Sequence, residues 1–321
     1  MAQQWPAAPR GRPEIGLGFA GLGWLGESLL KDLPNFPSVR LAGVQDVRAE
    51  LARDIAARYG SPWQGTDFEA LLAAPGVDAV AICTPNALHI PQALATLHAR
   101  KHVLVQKPLA LCAADAQTAI DLAARTRRLL FVDYTYRFLD TLQALQTHQR
   151  VRRLTARFHN IYGPGRDKTW FFDPRLSGGG ALVDLGVHLL DLALWLLKPT
   201  SVRLERAALS FGARLAVEDG ARLELRLDDV PFDLEVSWNA PRPLTEISLS
   251  LETDRARLRW ENVDGSFFHF RTLSDDTVMA DRETTLRADT LRAFIAALDA
   301  GLTPSIDVRV YSVLEAALRQ P

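Results

Sequence analysis

Ile15-Gly16-Leu17-Gly18-Phe19-Ala20-Gly21-Leu22-Gly23-Trp24-Leu25-Gly26 decides the fold. The apolar run Ile15 to Phe19 reads as a strand, and Trp24 to Leu33 reads as a helix. Between them stands G-x-G-x-x-G. Gly21 allows the tight turn, Gly23 lets the backbone approach a pyrophosphate, and Gly26 lets helix pack on strand. The helix N-terminus, opened by Trp24 and Leu25, then faces the anion. Alone, the motif also fits a glycine-rich turn that binds nothing. The next residues supply the context it needs. Val39 to Gln45 reads as a second strand and ends at Asp46, 20 positions after Gly26. A dinucleotide fold places its ribose-binding carboxylate there. Asp46 favours NAD. Arg48, two residues on, is placed to receive a 2′-phosphate, so NADP stays open.

The alternation of strand and helix continues. Ala49 to Tyr59 and Asp67 to Ala73 read as helices, and Val77 to Cys83 as a buried parallel strand. Thr84-Pro85-Asn86-Ala87-Leu88-His89 follows, then a helix to about Ala99. His102 to Val105 is a strand that runs into Gln106-Lys107-Pro108. A helix, Ala113 to Thr126, and a strand, Leu129 to Val132, complete the pattern. Ligands of open α/β sheets lie outside the carboxyl ends of strands. Gly21–Gly26, Asp46, Thr84–His89 and Gln106–Pro108 therefore share one crevice. Pro85 and Asn86 are read on its ribose side. His89 reads either as a nicotinamide neighbour or as a plain helix N-terminal contact.

After about Asp133 the pattern changes. Asp140 to Gln149 reads as a helix, and Val151 to Tyr162 begins a strand-rich region. Six further strands are expected between Arg203 and Arg271. Many alternate, as Leu223-Glu224-Leu225-Arg226-Leu227 does, which marks an antiparallel sheet with one wet face. Arg287 to Ala300 and Val308 to Leu318 close the chain as helices. The expectation is an α/β protein in three parts: an N-terminal arm (1–12), a Rossmann dinucleotide-binding domain (13–133), and an α/β domain with a large open, mostly antiparallel sheet (134–321). The C-terminal helix is expected to pack back on the Rossmann domain.

Composition narrows the function. The 321 residues carry a net charge of −1, which leaves no footprint for nucleic acid. Cys83 and Cys112 have no metal-ligand spacing and read as reduced core residues of a cytoplasmic protein. No metal site is expected. Residues 1–12 lack the apolar core of a secretory signal.

A second stretch carries chemistry. Gly178-Gly179-Gly180 leads into Ala181 to Leu197, apolar throughout except for Asp184, His188 and Asp191. Spaced four and then three apart, these share one face of a helix. So apolar a helix is buried, and it is too short and too polar on one face for a membrane span. A buried ionisable group must be paired or must work. One reading is a core pair, Asp184 accepting from His188; the other is an active site. Asp191 reads as a structural salt bridge. Ahead of the glycines, Arg166, Lys168 and Trp170 lie on a polar loop and are candidates for substrate binding, against solvated loop charge. Arg137, in Tyr136-Arg137-Phe138, is a candidate for substrate or structural pairing.

Gly21-Leu22-Gly23-Trp24-Leu25-Gly26, Thr84-Pro85-Asn86…His89, Lys107-Pro108 and Gly178-Gly179-Gly180…Asp184…His188, in this order, resemble the Gfo/Idh/MocA family of nicotinamide-dependent oxidoreductases. The resemblance runs from about Glu14 to the C-terminus. It implies hydride transfer at a hydroxyl-bearing carbon of a sugar, cyclitol or related diol. It also implies a homo-oligomer, dimer or tetramer, through the antiparallel sheet. The family's E-K-P lysine falls on Lys107 and its D-x-x-x-H pair on Asp184 and His188; its glutamate is Gln106 here. In this reading His188 accepts the proton, Asp184 orients His188, and Lys107 donates a hydrogen bond to the same oxygen, with the roles of Lys107 and His188 interchangeable. Two alternatives stand beside it: a glycosidase that uses NAD for transient oxidation, and a non-catalytic nucleotide- or sugar-sensing regulator.

Overall fold

The computed structural model describes residues 14–147, 149–161, 166–212, 215–240 and 244–320. The expected arm, 1–12, lies outside the described residues. Two sheets organise the remainder. The first is built from β1 (Ile15–Ala20), α1 (Trp24–Asp32), β2 (Val39–Gln45), α2 (Ala49–Tyr59), β3 (Gln64–Gly65), α3 (Phe68–Ala73), β4 (Ala79–Ile82), α4 (His89–His98), β5 (His102–Gln106), α5 (Ala113–Thr126) and β6 (Leu130–Asp133). Its order is β3-β2-β1-β4-β5-β6, and every pairing is parallel. Leu17, Phe19, Val80, Ile82, Val103 and Val105 are fully buried, because helices cover both faces. This is a Rossmann sheet. The two-residue β3 is the one strand of it that the sequence did not suggest.

A short helix, α6 (Asp140–Gln143), leads to β7 (Val151–His159). After α7 (Pro174–Ser177) and α8 (Val187–Leu197) come β8 (Val202–Ser210), β9 (Gly220–Leu227), β10 (Val230–Ser237), β11 (Glu246–Thr253), β12 (Arg257–Asn262), β13 (His269–Ser274) and β14 (Thr277–Glu283). These strands form one sheet in the order β14-β13-β12-β11-β7-β10-β9-β8. Only β7 and β10 pair in parallel; the rest are antiparallel. The extra edge strand is β14, which is largely exposed and so carries no burial alternation.

Two helices close the chain, α9 (Leu286–Ala300) and α10 (Arg309–Leu318). Helix α9 returns to the Rossmann layer, where Leu291, Phe294 and Leu298 share a core with Leu17, Phe19 and Leu29. Phe294 meets Phe131 edge-on at 5.6 Å between ring centres. Helix α10 packs on β8 and α8 of the second layer and on α5 of the Rossmann layer. The apolar run Pro174–Leu197 is long and apolar enough to cross a membrane, but 78% of its most apolar window is buried inside this fold. Helix α8 lies on β7, with Leu189, Leu190, Leu192 and Ala193 all buried.

Candidate active site

The Gly-rich turn fits a dinucleotide. Gly21 has a φ of 84°, and a Cβ there would stand 2.7 Å from the Cys83 backbone. A Cβ on Gly26 would stand 2.1 Å from the Gly21 carbonyl oxygen, so helix and strand touch there. A Cβ on Gly23 would meet nothing within 4 Å, which leaves the mouth of the turn open at the N-terminus of α1. Trp24 stands exposed beside it and Leu25 is half-buried. Asp46 is buried; its Oδ2 accepts from Leu22 N at 2.9 Å and its Oδ1 from Arg48 Nε at 3.0 Å. Burial raises the Asp46 carboxyl, but the bonds from Arg48 and Leu22 outweigh it and hold it below its usual value. Arg48 is thus drawn onto Asp46. Beneath the turn, burial pushes the Cys83 thiol up to about 12, which keeps it neutral.

The residues after β4 act mainly as ties. Thr84 and Pro85 are half-buried at the crevice. The Thr84 hydroxyl donates to Gln92 Oε1 at 2.6 Å. Asn86 Nδ2 donates to Ser177 O at 2.8 Å, joining this turn to the start of the triple glycine. His89 is buried, with Nδ1 2.7 Å from Pro108 O and Nε2 2.8 Å from Thr84 O. Burial lowers its basicity, against the two carbonyl contacts. The ring sits between two strand-end turns, and its single N–H when neutral donates to one of these two carbonyls. Gln106 is buried and its Nε2 donates to Asp133 Oδ2 at 2.6 Å.

Lys107, immediately after β5, reaches across to the second layer. Its Nζ donates to Asp184 Oδ1 at 2.6 Å and to Asp184 O at 2.7 Å. Asp184 lies in a widened π-turn, Leu182–Gly186, in which Val187 N donates to Leu182 O; such turns are frequent at functional sites. The triple glycine sets up this turn. Gly180 N and Leu182 N donate to Glu218 Oε1 at 2.7 and 3.0 Å, and a Cβ on Gly180 would stand 1.9 Å from Glu218 O. The second carboxylate oxygen of Asp184 accepts from Trp238 Nε1 at 3.2 Å.

This corrects the expected pairing. Asp184 takes Lys107 and Trp238 as partners, not His188, because a carboxylate binds an ammonium more strongly than a neutral ring. The His188 ring is buried against Tyr136, at 5.0 Å between ring centres, and Phe158, at 6.3 Å. Burial first, then the charges of Lys107 and Arg287, push its basicity well below the usual histidine value. Of the two roles read for Arg137, substrate or structural pairing, the structure shows the structural one. It is buried, with Nε 2.5 Å from Asp191 Oδ2, Nη2 on Asp191 Oδ1 and Nη1 2.8 Å from Ser305 O. Its charge is consumed in the core, and Asp191 is the structural partner expected of it. Lys168 stands over the Trp24 ring, 4.8 Å from its centre, and Trp170 lies 4.1 Å from Phe171, centre to centre. The Arg166 side chain lies outside the described residues.

Three contributors escaped the sequence reading. Trp238 ends an apolar strand with nothing local to mark its indole as a carboxylate donor. Asp133 ends β6 and Glu218 lies two residues before β9; both are buried carboxylates whose partners are distant in sequence.

Comparisons with known proteins identify the family and the fold. Residues 15–134 match the family model described as an oxidoreductase family with an NAD-binding Rossmann fold, and residues 147–259 match its C-terminal domain model. The chain belongs to the Gfo/Idh/MocA family. It is 39% identical over 164 residues to 4-carboxy-2-hydroxymuconate-6-semialdehyde dehydrogenase of Sphingobium sp., covering 48% of this chain and 52% of that one. To scyllo-inositol 2-dehydrogenase (NADP(+)) IolU of Bacillus subtilis it is 31% identical over 202 residues, 60% and 61% of the two chains. This chain thus spans about half the length of the curated relatives it matches. Among solved structures, GenD2 from gentamicin A biosynthesis in complex with NAD superposes with a TM-score of 0.83 at 24% identity, covering 98% of this chain and 96% of that one. Levoglucosan dehydrogenase with NADH and levoglucosan gives a TM-score of 0.81 at 18% identity, covering 95% and 96%. These two likenesses show the fold.

Proposed function

We propose that this protein is an NAD(P)-dependent dehydrogenase or reductase acting on a hydroxyl-bearing carbon of a sugar, cyclitol or related diol. The observation that carries the reading is the Lys107–Asp184 pair, set at the carboxyl ends of the Rossmann strands beside His188. A nicotinamide dinucleotide held in the Gly-rich crevice would supply the hydride-transfer chemistry. Gly21, Gly23, Gly26 and Asp46 are the residues that would hold the dinucleotide, and Asp46, already holding Arg48, favours NAD.

An ammonium has three N–H donors. Lys107 spends two on Asp184 Oδ1 and O. The third is left for the substrate oxygen. In the reducing direction Lys107 Nζ gives a proton to the oxygen as negative charge builds there; oxidation is the reverse. Asp184 keeps the amine in place and balances its charge. His188, neutral at physiological pH, accepts a hydrogen bond from the substrate hydroxyl. Lys168, which stands over the Trp24 ring beside the Gly-rich turn, and Trp170, two residues on, are the candidates to grip a polyol.

By the same proposal, residues 13–133 bind the dinucleotide and 134–321 bind substrate, with α9 lent back to the first unit. The protein works in the cytoplasm as a homo-oligomer through the outer face of the second sheet. Sedimentation at working concentration tests the assembly; a monomer contradicts it. Incubation with NAD or NADP and a panel of inositols, glucosides and anhydrosugars tests the activity. NADH or NADPH formation supports a dehydrogenase. Sugar release without net NADH means the glycosidase reading, and tight NAD binding without turnover means a sensor.

A further inference from the structure

Asp133 is a buried carboxylate that the mechanism above leaves unused. It ends β6 as Gln106 ends β5, and the two are paired in register. They are 1% and 4% exposed. Gln106 Nε2 donates to Asp133 Oδ2 at 2.6 Å, and Thr290 Oγ1 donates to Asp133 Oδ1 at 2.7 Å. Arg287 Nη1 stands 3.4 Å from Oδ2. Thr290 and Arg287 both lie on α9. Three elements therefore converge on one carboxylate, and a fully satisfied buried network of this kind rigidifies what it joins.

What it joins is the site. Gln106 immediately precedes Lys107. Arg287, held on its other side by Asp133, lies 5.8 Å from the centre of the Trp24 ring, at the mouth of the Gly-rich turn. Cys83 and Tyr136 also feel the Asp133 charge, so the carboxylate reaches both the cofactor turn and the ring that packs on His188.

We propose that Asp133 is the positioning residue of this site: it anchors the end of β5 ahead of Lys107, holds Arg287 at the crevice, and requires a glutamine at 106. A glutamate at 106 would set two carboxylates at hydrogen-bond distance in the interior, where both cannot ionise. Gln106, where the family pattern places an acid, is paired in this chain with an acid one strand across.

Three full-length variants test this: Gln106→Glu, Asp133→Asn and the double exchange. Thermal unfolding is followed from about pH 5 to about pH 8, across and above the usual carboxyl range. Turnover is measured on the polyol found in the panel, so this second arm rests on the proposed function. Gln106→Glu raises a folded-state carboxyl pKa, so its deficit in Tm grows as pH rises, to roughly 5 °C near neutrality. Each single variant loses roughly tenfold or more in turnover. The double exchange moves the charge instead of doubling or deleting it, and recovers most of both losses. A merely structural Asp133 would shift the melting curves of the single variants and leave their turnover per folded molecule at the wild-type value. A Gln106→Glu melting curve parallel to wild type at every pH, a double variant no better than the worse single, or single variants with wild-type turnover would each overturn the proposal. If the wild type turns over no polyol, the proposed function fails and the melting curves still decide this inference.

Discussion

Replacing Asp184 with asparagine deletes one negative charge and almost no volume. The native carboxylate accepts from Lys107 Nζ at 2.6 Å and from Trp238 Nε1 at 3.2 Å. An amide has one acceptor and one donor end, so the substituted side chain serves only one of these two donors. The bond to Lys107 keeps its charged donor but loses the attraction between two opposite charges, and the donor left unmet costs about 1–3 kcal/mol where it is buried. The side chains are about one-sixth exposed, so water screens part of the pair. A stability loss of about 1–2 kcal/mol follows. Lys107 keeps its bond to the backbone carbonyl of residue 184 but loses the charge that fixes its third proton on the substrate. A fall in kcat of roughly 100-fold corresponds to about 2.7 kcal/mol of lost transition-state stabilisation. KM and NADH affinity change little, because the Gly-rich turn and Asp46 are untouched. The assay is steady-state turnover on the polyol found in the panel, with NADH titrated separately by fluorescence. A kcat within threefold of wild type would refute the role given to the pair.

Three further outcomes follow from the same structure. Asp46→Ser removes a carboxylate that binds Arg48 and would repel a 2′-phosphate; the ratio of NADP to NAD affinity rises roughly 10- to 100-fold, about 1.4–2.7 kcal/mol, read by titration of both cofactors. His89→Ala removes the ring between Thr84 O and Pro108 O and loosens the turn that carries Lys107; kcat falls more than KM rises, and thermal unfolding comes earlier. Burial, opposed by Arg137, raises the Asp191 carboxyl from 3.8 to about 6. A raised folded-state value gives stability that is present below the ordinary pKa and lost as pH rises through the folded one. Asp191→Asn therefore flattens the pH dependence of Tm between about pH 4 and pH 6, seen by calorimetry at stepped pH.

The parts of this architecture legible in the sequence are those with local causes. The Gly-rich turn was legible because its glycines answer to local contacts: Gly21 to a left-handed φ and Gly26 to a neighbour's carbonyl. The polar face of Asp184, His188 and Asp191 was legible because charge in so apolar a helix is costly. Partner choice was not legible. The four-residue spacing made His188 the obvious mate of Asp184, whereas the actual mate lies 77 positions away on another sheet. Arg137 and Asp191 are likewise 54 apart, so an arginine near the site read equally well as a substrate ligand. Strand β14 went unread for a related reason: an exposed edge strand has no buried face to write an alternation into its sequence. Gln106 read as a departure from a pattern, and its meaning came only with Asp133 beside it.

The central claim is that a hydride passes between a carbinol carbon and nicotinamide while Lys107 handles the proton. The most direct measurement uses the panel substrate deuterated at the reacting carbon, with NAD analysed by mass spectrometry for wild type and Lys107→Met. The account predicts deuterium in the nicotinamide ring with wild type, and roughly 1000-fold slower transfer in a Lys107→Met protein that still binds NADH normally. Deuterium appearing at the wild-type rate without Lys107, or no label in the nicotinamide during turnover, would contradict it.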